Sequence, residues 1–445
     1  MPISISIIII LGIAIIASQI RRWQKNKKYD LFLIFSVIFF FSYIVSPIAA
    51  MLWGDIAINR HFSEGEVRPA VLAVALYAPL SYLSVSFGWV LSKKLSVNRW
   101  TPQNTLSNRT WKLAFIILFL MGFFFFFLFV TRYGGVSTIF EKFLSIRSGA
   151  VERDNLGSLS KHLSEFIVIA FYIIAHKFIT QKYFRTFSAF LALVTVAICA
   201  LLVQYLSGGR GAIVLFGLIP YISFLHTRQH LPGAIALMVG FFLIATVALG
   251  DFALLKALAQ LDIQSVQKHF FETRIVSNFS KTIPATLSNF SHPFLSIPVA
   301  LEYIQDSSKI RGFIDIPLGI LFYFRALGIP IPDTLAYIHT ENVTGIRESV
   351  MPPGLIAGSI YSLGTFGVVI GGFTFGSVGR IFDSILDNYA KTLPWFTPIY
   401  IMSIYSFAGF INASADFRQF IMNFSLLSFI IFSFLIVRWR TAATP

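Results

Sequence analysis

A chain of 445 residues that is 56% hydrophobic and 12% charged, with a mean hydropathy of +0.75, is too apolar to fold as an ordinary water-soluble protein. Its formal charge of +15 does not point to nucleic acid, because the basic residues fall between hydrophobic runs, where they meet anionic lipid and fix orientation. Cys199 is the single cysteine, which excludes a disulfide framework and a thiolate metal cluster within one chain.

A hydrocarbon core of about 30 Å takes roughly 20 apolar residues per helix, and the sequence reads as an all-α polytopic bundle of about eleven transmembrane helices, one membrane domain over residues 1–445. The first run, 3–20, has no cation before it and no small-residue cleavage signature, so it reads as a retained helix rather than a signal peptide. The acid-free stretch RRWQKNKK (21–28) follows and belongs in the cytoplasm by the positive-inside rule, which puts the N-terminus outside. A second span (31–53), a mixed external loop with Asp55, Glu64 and Glu66, and a third span (69–91) lead to a second acid-free basic loop, 92–112. The fourth span (115–130) opens into an external loop to about His162, and the fifth returns inward. The sixth (187–205) goes out to the turn SGGRG (207–211), the seventh (212–225) comes back, and the eighth (233–249) leads to a large external loop, 251–354. A ninth span (355–378), the inside stretch RIFDSILDNYAK (380–391), a tenth (395–411) and an eleventh (420–437) end at Arg438 and Arg440 in the cytoplasm. Residues 314–331, apolar but broken by Asp315, Pro317, Arg325 and Pro330, form either a re-entrant segment or an additional helix pair.

Chemistry-bearing residues concentrate in the external segments. The large loop balances its cations and carboxylates, and its start places Leu254, Leu258, Leu261, Ile263, Val266 and Phe270 at helical steps, as in a helix along the membrane surface; the alternative is an ordinary solvated loop. In SGGRG, Arg210 stands between glycines, where backbone N–H groups and a guanidinium can converge on a phosphate; the alternative is a snorkelling arginine in a turn. RYGGVSTIFEKFLSIRSG supplies Arg132, Gly134, Gly135 and Arg147, and its Gly-Gly also reads as a plain helix end. No HExxH, EF-hand or Walker A pattern is present, and His61, His292 and His339 read as surface residues of external loops. The chain lacks the internal repeats expected of many secondary transporters, which disfavours a flippase.

Three stretches together resemble the O-antigen polymerase (Wzy) group, the oligosaccharide repeat unit polymerases. RYGGVSTIF with Arg147 is similar to the family's Gly-Gly loop followed by an arginine, and SGGRGAIVLFGL (207–218) to its Gly-rich arginine turn opening a helix. YFRALGIPIPD (323–333) with MPPGLIAGSIYSLGTFGVVIGGFTFGSVGR (351–380) looks like its Pro-rich loop end entering a Gly-rich helix. The resemblance implies a GT-C-like, metal-independent glycosyltransferase of the bacterial inner membrane. It would join undecaprenyl-pyrophosphate-linked repeat units at the outer leaflet, with no cofactor and with a chain-length regulator and a flippase as partners. It carries pyrophosphate or glycan binding to Arg147 and Arg210 by motif, and to Arg274, Arg325 and Arg347 by loop position; Glu348 and Asp333 are the candidate bases. An O-antigen ligase, which uses the same donor, is the nearest rival, and a polysaccharide transporter the rival of a different class.

Overall fold

The computed structural model describes residues 2–26, 28–58, 61–95, 110–135, 138–139, 155–207, 210–228, 287–306, 309–321, 329–330, 332–345 and 351–413. Among them every regular element is a helix, and seven helical segments are long and apolar enough to cross a membrane: Pro2–Lys25, Leu31–Ala57, Glu64–Leu91, Trp111–Arg132, Leu159–Thr180, Phe187–Gln204 and Gly354–Thr392. The chain is a multi-pass helical membrane protein. These segments match the first six expected spans and the ninth; the seventh is the helix Arg210–Arg228 and the tenth the helix Thr397–Ala413, while the eighth and eleventh lie outside the described residues.

Two compact units emerge, each assembled from separated stretches of chain: Met1–Thr101, Ile283–Asn388 and Ser403–Asn423 in the first, Pro102–Thr282, Tyr389–Met402 and Phe424–Pro445 in the second. The first holds α1 (Pro2–Asn26), α2 (Leu31–Ala57) and α3 (Val67–Leu91). It also holds α9 (His292–Tyr303), α10 (Asp315–Leu321), α11 (Leu335–Thr344) and most of α12 (Gly354–Thr392). Lipid offers no hydrophobic drive for helix pairing, so close backbone approach and polar bonds must do it. A Cβ on Gly376 would collide with the Val85 carbonyl oxygen, one on Gly88 with that of Phe373, and one on Gly372 would come within 3.1 Å of the Ser81 carbonyl oxygen. The glycines thus let α12 lie directly on α3. Between α1, α2 and α3, Gln19 Nε2 donates to Ser36 Oγ and to the Tyr82 hydroxyl, at 2.9 and 3.1 Å, satisfying three polar groups inside the apolar bundle.

The second unit holds α4 (Thr110–Arg132), α5 (Asn155–Leu163), α6 (Phe166–Thr180), α7 (Phe187–Ser207) and α8 (Arg210–Arg228). Residues 166–177 of α6 are all buried, and α4, α7 and α8 pack around it, whereas α4 turns Leu120, Phe123, Phe124 and Phe127 outward as a lipid-facing stripe. Gly134 and Gly135, at φ +84° and +104°, end α4 in a Schellman motif: Gly135 N–H donates to the Val130 carbonyl and Gly134 N–H to that of Thr131. The Gly-Gly of RYGG is therefore a helix stop, the plainer of its two readings.

Two expectations change. RIFDSILDNYAK, set apart from the ninth span in the sequence, continues its helix as the last turns of α12, because Phe382, Leu386 and Tyr389 recur at helical spacing while Asp383 and Asp387, four apart, share a paired face. There Lys28 Nζ lies 2.9 Å from Asp387 and 3.6 Å from Asp383, Arg380 lies 3.7 Å from Asp383, and Arg22 lies 2.6 Å from Asp30. Asp383 also accepts the Leu31 N–H, so the first turn of α2 is capped both by its own Asp30 and by a carboxylate from α12. Burial works against the Lys28 charge, but Asp383 and Asp387 outweigh it and raise its pKa; burial, then Asp383, push the Asp30 carboxyl up. The basic stretch after α1 and the end of α12 thus meet at one end of the first unit. Secondly, the described part of the large loop is not a solvated excursion. α9 packs on α3 with Phe294, Leu295, Ile297 and Ala300 buried. Of the stretch 314–331, α10 is a seven-residue helix, too short to span, and 322–328 lie outside the described residues.

Candidate functional site

At the other end of the first unit, α12 is two helices joined at a break. Leu363 (φ −141°, ψ 26°) and Gly364 (φ 63°, ψ −155°) leave helical geometry, which only glycine adopts at the second position without strain. The first half folds back on the second: Ser359 packs where Cβ atoms on Gly367 and Gly371 would sit. From Gly364 to Asp383 the second half rises about 28 Å, close to one hydrocarbon core, so the break falls near a membrane boundary. Backbone freed there needs partners. The Tyr361 and Ser362 carbonyls find them in the N–H groups of Arg311 (3.1 Å) and Gly312 (2.7 Å), from the segment leading into α10.

Arg311 also fixes that segment by its side chain. Its guanidinium grips Asp315 in a fork, Nε to Oδ2 at 2.7 Å and an Nη2 to Oδ1 at 2.8 Å, and reaches the Asp333 carbonyl at 3.3 Å. Asp315 Oδ1 in turn accepts the Leu335 N–H at 2.8 Å, capping α11. Burial opposes the Arg311 charge and the Asp315 carboxylate overcompensates, raising its pKa. Asp333, a candidate base, consequently stands beside a guanidinium already committed to Asp315.

His339, expected at the surface, is fully buried among α9, α11 and α12. Its Nε2 lies 2.8 Å from Ser296 Oγ and its Nδ1 2.9 Å from the Tyr361 hydroxyl, while Ser296 Oγ donates to the His292 carbonyl at 2.6 Å. With the serine proton so used, the assignment satisfying every group is Tyr361 O–H to Nδ1 and Nε2–H to Ser296. Burial, reinforced by nearby His292, pushes the His339 pKa down to about 3 and keeps the imidazole neutral. This chain stitches three helices together beneath the break. The four-residue spacing of Arg311 and Asp315 is a local signal from which their pairing could be found, although Arg311 precedes α10, whereas nothing local to His339 signals burial.

In the second unit Arg210 is the first residue of α8, whose leading N–H groups lack helical acceptors. Phe216 of α8 stacks on Phe171 of α6, with ring centroids 4.2 Å apart and planes 10° apart, which fixes the level of the two helices against each other. Arg147, Arg274, Arg325, Arg347 and Glu348 lie outside the described residues. Among the described residues no group of three or more His, Cys, Asp or Glu side chains could hold a metal ion. No family model, curated protein or solved structure matches the chain.

Proposed function

We propose that the chain is a lipid-linked oligosaccharide repeat unit polymerase. In this reading about eleven spans form a GT-C-like bundle in a bacterial inner membrane, with the N-terminus in the periplasm and the C-terminus in the cytoplasm. The donor is a growing glycan on undecaprenyl pyrophosphate and the acceptor a sugar hydroxyl of one lipid-linked repeat unit. The observation that carries the reading is the position of Arg210 as the first residue of α8, which pairs an arginine with the positive end of a 19-residue helix. That pairing suits a pyrophosphate and the charge it gains on leaving. The multi-pass helical fold and the broken, glycine-rich α12 entered from a large loop support the same assignment.

The test is a gel profile of surface polysaccharide from a deletion strain, with the chain restored as wild type or as Arg210→Ala. Wild type restores the ladder, and Arg210→Ala at normal protein level leaves single repeat units, with Arg210→Lys rescuing poorly because a point charge does not replace a fork. Lipid-linked polymer accumulating in the deletion strain with no surface repeats identifies a ligase instead. A ladder unchanged by deletion, or retained by Arg210→Ala, rejects the assignment or the role of Arg210 respectively.

A further inference from the structure

Glu165 occupies the turn between α5 and α6, inside the candidate span Leu159–Thr180. The ladder tightens there to three-residue steps, Glu165 N–H to the His162 carbonyl at 3.2 Å and Val168 N–H to the Glu165 carbonyl at 2.9 Å, which bends the span at the carboxylate. Its depth follows from α4. Gly122 stands near the middle of that helix, and a Cβ on it would come within 2.6 Å of the Ile167 nitrogen, so the backbone of α4 rests on the first turn of α6. Glu165, two residues earlier, therefore stands within the apolar length of α4 rather than beyond its end. The side chain is half-buried, with Lys161 one turn away as the neighbouring charge, and among the described residues its carboxylate accepts no hydrogen bond. An ionisable group at such depth is costly and marks a functional position.

The second coordinate is Arg210. α6 and α8 run in the same direction, since the single helix α7 returns between them. Glu165 and Arg210 each stand six residues before the stacked rings Phe171 and Phe216, and at 1.5 Å per residue both lie about 9 Å above that contact, at one level of the second unit. Resting on the polymerase reading of Arg210, we propose that Glu165 is the general base of the glycosyl transfer. The acceptor hydroxyl oxygen bonds to the anomeric carbon of the donor glycan as the bond from that carbon to the pyrophosphate oxygen breaks. The electron pair leaves with the pyrophosphate, held at Arg210, and the hydroxyl proton passes to the Glu165 carboxylate and then to water. The four buried acids of the described segments, Asp30, Asp315, Asp383 and Asp387, each already face an arginine or lysine.

The experiment uses the chain in lipid nanodiscs with a synthetic polyprenyl-pyrophosphate-linked repeat unit, following chain elongation against substrate concentration. Glu165→Gln keeps the shape and removes the base: kcat falls about 10²- to 10⁴-fold with KM little changed, and thermal stability is not reduced. Glu165→Asp recovers part of the rate, and Lys161→Gln, which would mimic the loss if Glu165 served only as an ion-pair partner, retains most of it. An active wild type, an inactive Arg210→Ala and a Glu165→Gln within about threefold of wild-type kcat overturn the assignment of Glu165 alone. So does a Lys161→Gln variant as impaired as Glu165→Gln. A wild type that makes no polymer from these units overturns the polymerase reading and this proposal with it.

Discussion

Replacing Asp383 by alanine removes two interactions that can be weighed separately. Its fully buried carboxylate caps the Leu31 N–H at 3.0 Å and faces Lys28 at 3.6 Å and Arg380 at 3.7 Å. Loss of the cap costs about 1 kcal/mol. Breaking a buried ion pair from one side costs about 3–5 kcal/mol, but Lys28 is 25% exposed and keeps Asp387 at 2.9 Å. The lower end therefore applies, and with the cap we expect a total of about 4 kcal/mol. Asp383→Asn retains an oxygen for Leu31 and should be milder by about 1 kcal/mol. Lys28→Met combined with Asp383→Asn removes the charge left without its partner, so the double variant should be more stable than the sum of the two losses by about 1–2 kcal/mol. Unfolding of the micelle-solubilised chain by sodium dodecyl sulfate, read by tryptophan fluorescence, gives the four stabilities of the cycle. A coupling energy below about 0.5 kcal/mol would show that Lys28 and Asp383 act independently, and the argument that α1, α2 and α12 are locked through them would fail.

Two further outcomes are expected. Because the His339 pKa is pushed down to about 3 in the fold and lies near 6.5 in the unfolded chain, both states are neutral above pH 6.5; below it only the unfolded state takes up the proton. Stability should thus drop as pH falls, by about 2 kcal/mol at pH 5 from this group; His339→Gln should lack that component, and equal acid slopes for variant and wild type would refute a buried neutral imidazole. Gly134→Ala places a Cβ at φ +84° and should cost about 1 kcal/mol while leaving the polysaccharide ladder intact. Loss of the ladder at normal protein level would mean that the Gly-Gly turn contacts substrate as well as ending α4.

How much of this was legible in the sequence depends on the range of the interaction responsible. Local signals carried through: hydropathy marked α1 to α4, α6 and α7 with ends shifted by a few residues, whereas the close contact of Gly372 and Gly376 with α3 is shown by the structure alone. Hydropathy ends the ninth span at 378 because Asp383, Asp387 and Lys391 break the apolar run, and the helix runs on only because Lys28, far away in the chain, supplies the countercharge that lets Asp383 and Asp387 be buried. The break at Leu363–Gly364 was equally illegible, since glycines are ordinary in membrane helices. What makes this one a break is the pair of amides from Arg311 and Gly312 that satisfies the carbonyls before it.

The candidate site divides along the same line. Arg210 could be picked out because Gly-Gly-Arg-Gly at the mouth of two apolar runs is a local pattern, and the helix opening there follows from it. Glu165 could not be ranked that way: in HLSEFIVIAFYII it reads as the polar edge of a span, and only the Gly122 contact places it within the apolar length of α4. A carboxylate in that position must either be neutralised by a partner or be retained for its chemistry. Lys161 offers proximity without a hydrogen bond, so the partner explanation is the weaker one. Comparing Lys161→Gln with Glu165→Gln is therefore also a test of whether depth, read from a glycine on a neighbouring helix, identifies catalytic acids that sequence pattern assigns to the membrane edge.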